Sequence, residues 1–374
     1  MSASSPDVRS ANSAFSALDH AHMARALRLA ELGLYTTQPN PRVGCVLAQG
    51  EEIVGAGWHQ RAGEPHAEVF ALRAAGERAR GATAYVTLEP CAHFGRTPPC
   101  ADALIAAGVA RVVVASEDPF PKVDGRGLEK LRAAGIAMQT GLLRDAARDL
   151  NRGFFSRIER RRPWVRVKLA MSVDGRTALA NGQSKWITGD AARADVQHWR
   201  ARSSSILTGS GTVLADDPRL TVRLGDGIEF KAPLRVVLDR RLRTPAGVQA
   251  LDGSAPTLIF HGEDASAVDT RFAQAELAAA PLRDDRLDLG AVLATLAERG
   301  INELQVEAGP TLCGALFAAG YVDELLLYVA PVVLGSEARP LLNLPALTSI
   351  SAARRLRVID QRQVGTDQRL LLRE

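Results

Sequence analysis

Apolar and polar positions along the first part of the chain predict helices and strands in turn. Apolar residues recur at helical spacing over 17–34, and short apolar runs at 43–48 and 53–58, separated by QGEE, predict a β-hairpin. An Ala/Leu-rich helix should begin near His66, with a strand following at 84–88. Further expected elements are a helix at about 100–108, a strand at 111–115, a helix near 125–134 and a short final strand. This alternation predicts a three-layer α/β fold.

A second α/β block follows, beginning with a strand at 164–170. Its expected elements are a helix near 190–202, strands in ILTG, LRVVLD and TLIF, a helix near 289–299 and a strand at 303–309. Between the blocks, charge rises, apolar periodicity stops and Pro163 blocks helix continuation, which indicates a linker. We therefore expect four regions: a flexible extension at 1–16, a domain at 17–150, a linker at 151–163 and a domain at 164–374.

Composition is that of a folded protein rather than a disordered or fibrous one. The 374 residues suit about two domains of roughly 150 residues, with 46% hydrophobic and 24% charged residues. The net charge of +4 is divided evenly between the halves. The densest basic cluster, Arg157 with Arg160 to Arg162, is interpreted as a solvated linker rather than a nucleic-acid site. No membrane span or signal peptide is apparent, so we expect a cytoplasmic location.

The first chemical signal is His66-Ala67-Glu68, followed by Pro90-Cys91 and then by Cys100. His66, Cys91 and Cys100 are ligands that suit Zn²⁺, and three protein ligands leave a fourth position for water. Such a water ionises near neutral pH, and Glu68 stands close enough in sequence to shuttle its proton. The pattern predicts a zinc-dependent deaminase.

The alternatives are two unrelated sequence segments or a structural zinc site, and the latter would normally need four protein ligands. No fourth Cys or His stands at a motif-like spacing; His93 is the one rival, and its position suits a substrate contact equally well. Eight residues lie between the two cysteines, where the usual motif has two, which adds His93, Arg96 and Thr97 to the loop. Because an arginine can bind a phosphate bidentately, Arg96 favours a phosphorylated substrate over a free nucleoside.

Longer motifs resemble one family over about residues 17–374. NPRVGC, HQRAGEPHAE and TLEPCAHFGRTPPC are similar to the deaminase half of the bifunctional riboflavin-biosynthesis deaminase/reductases. KLAMSVDGRTA, SKWITG, GTVLADDPRLTVR and VEAGPTL are similar to the reductase half of that family. One departure is Ala92, where members commonly have Ser, and we expect this small change to be tolerated.

The resemblance implies two folds and two consecutive reactions. The folds are a cytidine-deaminase-like α/β/α domain and a dihydrofolate-reductase-like α/β domain. The reactions are hydrolytic deamination of 2,5-diamino-6-ribosylamino-4(3H)-pyrimidinone 5′-phosphate and NADPH reduction of its ribosyl group to ribityl. The implied deaminase residues are the zinc ligands His66, Cys91 and Cys100, the proton shuttle Glu68, and the substrate contacts Asn40, His93 and Arg96.

The second half lacks the G-x-G-x-x-G motif of a Rossmann fold. Its segment 303–315 instead predicts a strand, a Gly-Pro turn and a helix whose first N–H groups can hold a phosphate, although an ordinary strand–helix connection explains the turn equally well. The resemblance implies NADPH contacts at Ala170, Trp186, Thr212, Asp216, Gly309, Pro310, Thr311, Leu312, Cys313, Gly314 and Ala315. It implies substrate contacts at Ser184, Arg200, Leu220, Arg223 and Glu307.

For several single residues, the sequence does not distinguish a structural role from a functional one. Trp186 is equally well a core residue, and any one arginine is more often a surface residue. Lys168, Asp174 and Glu307 are all candidates to protonate the substrate during reduction.

Two other functions compete with the bifunctional enzyme. A deaminase of nucleic-acid bases would need a basic groove and stacking aromatic residues, yet aromatic residues are only 5% of the chain. A deaminase whose reductase-like half serves only assembly would not bind NADPH. We expect one zinc ion and NADPH as cofactors, a small phosphorylated pyrimidine as substrate, no nucleic-acid or membrane partner, and a homo-oligomer, either dimer or tetramer.

Overall fold

The computed structural model describes residues 15–92, 98–120, 123, 125–265 and 270–374. The chain separates into two compact units, one formed by Met1–Gly33 with Arg42–Leu150 and the other by Leu34–Pro41 with Asn151–Glu374. The domain limits expected from sequence stay a prediction. No helix in the described ranges combines the length and apolar character needed to cross a membrane.

The first unit is built around a mixed β-sheet. Its helices are α1 Ala17–Glu31, α2 Ala67–Ala75, α3 Cys100–Ala106, α4 Arg126–Ala133 and α5 Arg144–Leu150. Its strands are β1 Gly44–Gln49, β2 Glu52–Trp58, β3 Thr83–Val86, β4 Arg111–Val114 and β5 Ala137–Thr140. In the described part of the unit the strand order is β2-β1-β3-β4-β5, with β1 and β2 forming the predicted antiparallel hairpin.

Both faces of this sheet are covered, as β1 shows. Cys45 and Leu47 point to the side on which α2, α3 and α4 pack, whereas Val46 and Ala48 point to the side of α1 and α5. This alternation follows from the two-residue period of a strand, and two apolar faces require a helical layer on each side. The predicted three-layer α/β/α fold is therefore confirmed.

Glycines in β2 bring α2 unusually close to the sheet. A Cβ atom at Gly57 would lie 2.5 Å from the Cβ of Phe70, and one at Gly55 would lie 2.3 Å from the carbonyl oxygen of Ala71. Only glycine permits this approach. The contact fixes the first turn of α2, where His66 and Glu68 stand.

The second unit has a larger sheet. Its helices are α6 Arg152–Arg160, α7 Asp190–Arg202, α8 Ser210–Asp216, α9 Leu289–Glu298 and α10 Pro310–Ala318. Its strands are β6 Trp164–Ser172, β7 Arg176–Ala178, β8 Ser205–Gly209, β9 Leu234–Leu238, β10 Thr257–Gly262, β11 Glu276–Ala280, β12 Leu282–Arg283, β13 Arg286–Leu287, β14 Glu303–Val306, β15 Glu324–Ala330, β16 Arg339–Pro340, β17 Arg357–Val364 and β18 Asp367–Arg373.

Strand order in this sheet determines where a site can form. Among the described residues the order is β11-β10-β9-β8-β14-β6-β15-β18-β17. In this spatial order, the first seven strands, ending with β15, are parallel to their neighbours. Strand β18 pairs antiparallel with both β15 and β17. The carboxyl ends of β6, β14, β8 and β9 therefore share one edge, the usual place for a ligand in such sheets.

The segment predicted as a linker contains a helix, α6. Arg160 and Arg162 both pair with Asp323 at 2.7 Å; Arg160 stays exposed, whereas the solvated interpretation is wrong for Arg162, whose side chain is 17% exposed. Arg160 also lies over the ring of Trp164, 5.4 Å from its centroid. The buried residues of α6 are four consecutive ones, Gly153, Phe154, Phe155 and Ser156, so the helix leaves no apolar periodicity in the sequence.

Candidate active sites

Local structure brings the predicted zinc ligands together. His66 is the N-cap residue of α2, Cys91 lies in the loop after β3, and Cys100 is the first residue of α3. The backbone N–H of Cys100 donates a hydrogen bond to the Cys91 sulfur at 3.3 Å. Two helix starts and one strand end therefore converge on one point.

The geometry of the cluster suits a tetrahedral metal. His66 Nδ1 lies 3.6 Å from Cys91 Sγ and 3.3 Å from Cys100 Sγ, and the three ligand atoms all lie within 4.8 Å of one another. The nitrogen–sulfur edge of a tetrahedral zinc site is roughly 3.6 Å. The described residues supply three ligands to the cluster and no fourth, so these residues fit an open, catalytic zinc site.

Glu68 faces this cluster from the first turn of α2. Its carboxylate is 2% exposed, and Oε2 is buried without a hydrogen-bond partner. Burial raises the pKa of Glu68 to about 7. A buried, unpartnered carboxylate oxygen is costly unless it serves a ligand, so Glu68 fits a proton carrier beside the metal site.

Contacts among the three predicted ligands shift their pKa values. The hydrogen bond to Cys91 raises the pKa of His66 to about 8. Hydrogen bonding to Cys100 and to His66 lowers the pKa of Cys91 to about 4, while the pKa of the Cys100 thiol is raised. The cluster therefore favours thiolate at Cys91, the form that binds metal.

His59 is a residue that sequence reasoning did not single out. Its ring is buried and stands edge-on to the His66 ring, with centroids 5.4 Å apart, while its Nδ1 lies 3.1 Å from the carbonyl oxygen of Pro65. It restricts the orientation of the His66 imidazole. Its place in HQRAGEPHAE was the available signal.

The three predicted substrate contacts of the deaminase are not tested by the described residues. His93 and Arg96 lie outside the described residues, as does the neighbouring Thr97. Asn40 belongs to the segment Leu34–Pro41, which groups with the second unit, and its N–H donates to the carbonyl oxygen of Thr37 at 2.9 Å. All three assignments stay predictions.

A large cavity lies at the carboxyl edge of the second sheet. Its volume is about 1590 Å³, ample for a dinucleotide beside a small substrate. Of the predicted cofactor residues, those that line it are Ala170, Trp186, Thr212, Asp216, Gly309, Pro310, Thr311, Leu312 and Ala315. The predicted substrate residues that line it are Ser184, Arg200, Leu220, Arg223 and Glu307.

Two predicted cofactor residues are not part of the cavity wall. Cys313 is fully buried, and its sulfur donates to the carbonyl oxygen of Ala308 at 3.3 Å. Gly314 is packed so tightly that a Cβ would lie 2.1 Å from the carbonyl oxygen of Asn343. Both residues therefore face the interior of the protein, not the cavity.

The start of α10 fits a phosphate. Gly309 is its N-cap, no side chain caps it, and a Cβ built on Gly309 would meet nothing within 4 Å. The first N–H groups of a helix carry partial positive charge and accept an anion there. These residues therefore fit the phosphate groups of a dinucleotide cofactor.

An ion pair organises the middle of the cavity. Nε and Nη2 of Arg200 donate to the two carboxylate oxygens of Glu307, at 2.7 and 2.8 Å. The side-chain amide of Gln305 also donates to Glu307, at 2.8 Å. Burial alone would raise the pKa of Glu307, but Arg200 and Lys168 outweigh it and lower the pKa to about 2. Burial also lowers the pKa of Lys168, whose charge interacts with both Glu307 and Arg200.

The structure separates the three candidate proton donors. Asp174 does not line the cavity; it accepts from the Ser172 hydroxyl at 2.5 Å and from the N–H groups of Leu334 and Gly335 at 3.1 and 2.8 Å. It holds a turn. Lys168 and Glu307 line the cavity; the pKa of Glu307 is lowered to about 2, so its carboxyl group is ionised and cannot donate a proton near neutral pH.

Trp186 is not a core residue. Its side chain is 70% exposed at the cavity wall, and Arg193 lies over its ring at 4.4 Å from the centroid. The core interpretation is therefore wrong.

Sequence reasoning missed the residues that follow β9. Asp239, Arg240, Arg241 and Arg243 all line the cavity. The available signal was a run of basic residues directly after an apolar strand, LRVVLDRRLR, at the edge where ligands bind.

The fold and the two sites define a class of protein: a zinc-type deaminase unit joined to a dinucleotide-dependent reductase unit. Comparisons agree for each half. Residues 16–116 match the cytidine and deoxycytidylate deaminase zinc-binding region, and residues 163–370 match the RibD C-terminal domain.

Full-length relatives identify the family. The chain is 50% identical over 359 residues to the riboflavin biosynthesis protein RibD of Escherichia coli K12, covering 93% of this chain and 97% of that protein. It is 47% identical over 367 residues to RibD of Haemophilus influenzae, covering 95% and 97%. The chain therefore belongs to the RibD family, the bifunctional deaminase/reductases of riboflavin biosynthesis, with zinc and NADPH as cofactors.

Solved structures agree over almost the whole chain. RibD of Acinetobacter baumannii, form 1, matches with a TM-score of 0.88 and 44% identity over 95% of this chain and 98% of that one. A Thermotoga maritima diaminohydroxyphosphoribosylaminopyrimidine deaminase/5-amino-6-(5-phosphoribosylamino)uracil reductase matches with a TM-score of 0.84 and 33% identity over 95% and 98%. The family resemblance and both fold predictions are confirmed.

Proposed function

We propose that this chain deaminates 2,5-diamino-6-ribosylamino-4(3H)-pyrimidinone 5′-phosphate and then reduces the ribosyl group of the product with NADPH, giving 5-amino-6-(5-phosphoribitylamino)uracil. The two activities in the name of the Thermotoga relative support this substrate. The observation that carries the proposal is the three-ligand cluster with the Glu68 carboxylate beside it, whose Oε2 has no hydrogen-bond partner among the described residues.

In the deaminase unit, His66, Cys91 and Cys100 would hold the zinc ion. The ion supplies Lewis acidity that lowers the pKa of a water in its open position. Glu68 takes a proton from the attacking water and delivers it to the pyrimidine ring nitrogen, and then protonates the departing amino group as ammonia leaves. Its pKa of about 7 suits both directions of transfer. Asn40, His93 and Arg96 are proposed to bind the substrate.

In the reductase unit, the sugar ring must open before hydride can add. The C1′–O4′ bond breaks, the nitrogen on C1′ loses its proton, O4′ gains one, and a C1′=N bond forms. Hydride then adds to C1′ and the nitrogen takes a proton. We assign Lys168 as the donor of that proton, because its ammonium lies beside the Arg200–Glu307 pair and burial lowers its pKa.

The remaining cavity residues bind and orient the two ligands. We assign Ala170, Trp186, Thr212, Asp216 and the segment 309–315 to NADPH, with Cys313 and Gly314 acting through the backbone and packing of α10. Ser184, Leu220, Arg200, Glu307 and Arg223 are assigned to the substrate. Arg223 suits its phosphate because, in the described part of the chain, no carboxylate forms an ion pair with it.

Cellular location, oligomeric state and partners are also proposals. We propose a cytoplasmic protein that acts as a dimer or tetramer on a small phosphorylated pyrimidine, without a nucleic-acid or membrane partner. Relatives match over both halves, so the nucleic-acid deaminase and the inactive-reductase alternatives are not favoured.

The test is to incubate purified, zinc-loaded protein with the diaminopyrimidine phosphate, with and without NADPH. Without NADPH, one equivalent of ammonia and the deaminated ribosyl product should appear by mass spectrometry. With NADPH, the mass should rise further by two hydrogens, with one NADPH oxidised per product. Ammonia release without any later NADPH oxidation would contradict the proposed reductase.

A further inference from the structure

The ammonium of Lys168 stands in the reductase cavity without a hydrogen-bonding partner among the described residues. Its side chain is half-buried, starts from β6 and lines the cavity. Two charged groups act on it and oppose each other, because the negative Glu307 and the positive Arg200 pair at 2.7 Å. An ammonium that is shielded from water loses its proton more readily unless another group stabilises the charge. A residue that keeps Lys168 protonated must therefore supply a further contact.

The ring of Tyr328 supplies such a contact. Tyr328 lies on β15, the neighbour of β6 in the sheet, and pairs there with Ala170, two residues beyond Lys168. The Nζ atom of Lys168 lies over the fully buried Tyr328 ring, 5.7 Å from its centroid. An ammonium within about 6 Å of an aromatic centroid is attracted by the negative face of the ring, most strongly where water is excluded.

Tyr328 is itself held at its hydroxyl end. The hydroxyl donates to Oδ2 of Asp195 on α7 at 2.5 Å, and Nη1 of Arg369 on β18 donates to the two oxygens of the same carboxylate at 3.0 and 2.8 Å. Nε1 of Trp199 adds a further donor to Asp195 at 3.3 Å. A phenol that donates to a carboxylate becomes richer in electrons, so this arrangement fixes the ring and strengthens its negative face.

We propose that Tyr328 is a positioning residue of the reductase, whose ring holds the Lys168 ammonium in its charged form at the cavity wall. The inference rests on the proposed function, in which Lys168 donates the proton to the nitrogen on C1′. Tyr328 does not line the cavity, so it acts only through Lys168. A carboxylate in its place would form an ion pair and occupy the N–H groups, whereas a ring face stabilises the charge and leaves N–H groups to donate.

Two replacements at position 328 that share the size of the ring test its electrostatic role. Y328F keeps the negative ring face, and pentafluorophenylalanine reverses it, while both lack the hydroxyl. Because the donor must be protonated, reduction of the deaminated substrate declines as the pH rises through the pKa of Lys168. The midpoint of that decline should lie about 0.5 to 1.5 pH units lower with pentafluorophenylalanine than in Y328F. The KM for the substrate should agree within about twofold between the two variants, because the ring does not touch the substrate.

A measurement without turnover follows the charge of Lys168 directly. The full-length protein is labelled with trace acetic anhydride between about pH 7 and pH 11, and mass spectrometry gives the pH at which Lys168 becomes reactive. The exposed Lys231 is the internal reference and should titrate alike in every variant. The labelling midpoint of Lys168 should move with the kinetic midpoint.

The matched control for packing is L327A. Leu327 is buried beside Tyr328 on β15 but packs on the opposite face of the sheet. L327A should lower the stability of the protein without moving either midpoint. Ammonia release should be normal in every variant.

Three results would overturn the inference. Equal midpoints in the two ring variants would show that the ring face does not stabilise the charge. The same displacement in L327A would reduce the effect to loosened packing. A change in the substrate KM without any change in the midpoint would give Tyr328 a part in binding and none in protonation. If labelling moved as expected but K168M reduced the substrate at the wild-type rate, the assignment of Lys168 as the donor would fail, and with it the role of Tyr328 in reduction.

Discussion

At the residue scale, the chemistry depends on a few polar groups whose surroundings set their protonation. One carboxylate oxygen of Glu68, Oε2, is buried without a hydrogen-bond partner among the described residues, and burial raises the pKa of Glu68 to about 7, whereas Arg200 keeps Glu307 ionised. The types and spacing of the zinc ligands were predictable, because metal ligation restricts both. Sequence did not choose among Lys168, Asp174 and Glu307, since only the fold shows which side chains reach the cavity.

Replacing Lys168 tests the choice of proton donor. K168M keeps the approximate length of the side chain but removes the amino group that donates the proton, so reduction of the deaminated substrate should slow at least ~100-fold. Stopped assays of NADPH oxidation measure this, and ammonia release should be unchanged.

The matched variant is D174N, which alters a turn rather than the cavity. It should reduce with a kcat within about threefold of the wild type. A loss in D174N as large as that in K168M would mean that Asp174, and not only Lys168, serves the reaction.

At the element scale, the sheets and the helices packed on them were largely predictable, because apolar periodicity indicates each element and turn residues mark where it ends. The hairpin of β1 and β2, the helix 190–202 and the strands at the centre of the second sheet appear where the pattern indicated. The helix α6 was missed because its buried residues, Gly153, Phe154, Phe155 and Ser156, are consecutive rather than spaced at a helical period. The strands β15, β17 and β18 were not predicted either, and no composition signal marks how they pair.

A glycine-to-alanine change tests how β2 positions α2. In G57A, the new methyl group would lie 2.5 Å from the Phe70 Cβ, so α2 must shift. We expect a loss of about 1–3 kcal/mol in the free energy of unfolding and weaker zinc binding, measured by denaturation and by metal competition. G225A is the control, because a Cβ there meets nothing within 4 Å. Equal stability and zinc affinity in G57A and the wild type would contradict this account.

A buried ion network across β6 and β15 predicts how stability depends on pH. Glu324 pairs with Arg166 at 2.6 Å, with Arg152 at 2.7 Å and with Arg373 at 2.9 Å. Burial alone would raise its pKa, but these arginines lower it to about 2, against 4.5 for a free glutamate. A carboxyl group whose pKa is lower when folded stabilises the fold above the unfolded pKa and loses that contribution as pH falls.

Stability should therefore fall on the order of a few kcal/mol as the pH drops from about 4.5 toward 2, as measured by urea denaturation. In E324Q the network is broken at every pH, so the protein should be less stable at pH 7 and lose less on acidification. A decline in E324Q as steep as in the wild type would show that other groups determine the acid sensitivity.

At the scale of the whole molecule, the chain combines two reactions in two units with separate cores. The zinc cluster lies entirely in the first unit and the reductase cavity entirely in the second. Family motifs in both halves made this division predictable. The loop after β9 was not predictable as part of a site, because its role depends on strand order, which the linear sequence does not reveal.

The most direct test of this account is E68Q assayed for each reaction separately. Glutamine keeps the shape of Glu68 but cannot accept a proton, so E68Q should bind zinc normally and release ammonia at least ~100-fold more slowly. It should still oxidise NADPH at the wild-type rate when given the already deaminated substrate. Deamination at the wild-type rate would contradict the role of Glu68, and loss of both activities in a folded, zinc-loaded variant would contradict the division into two sites.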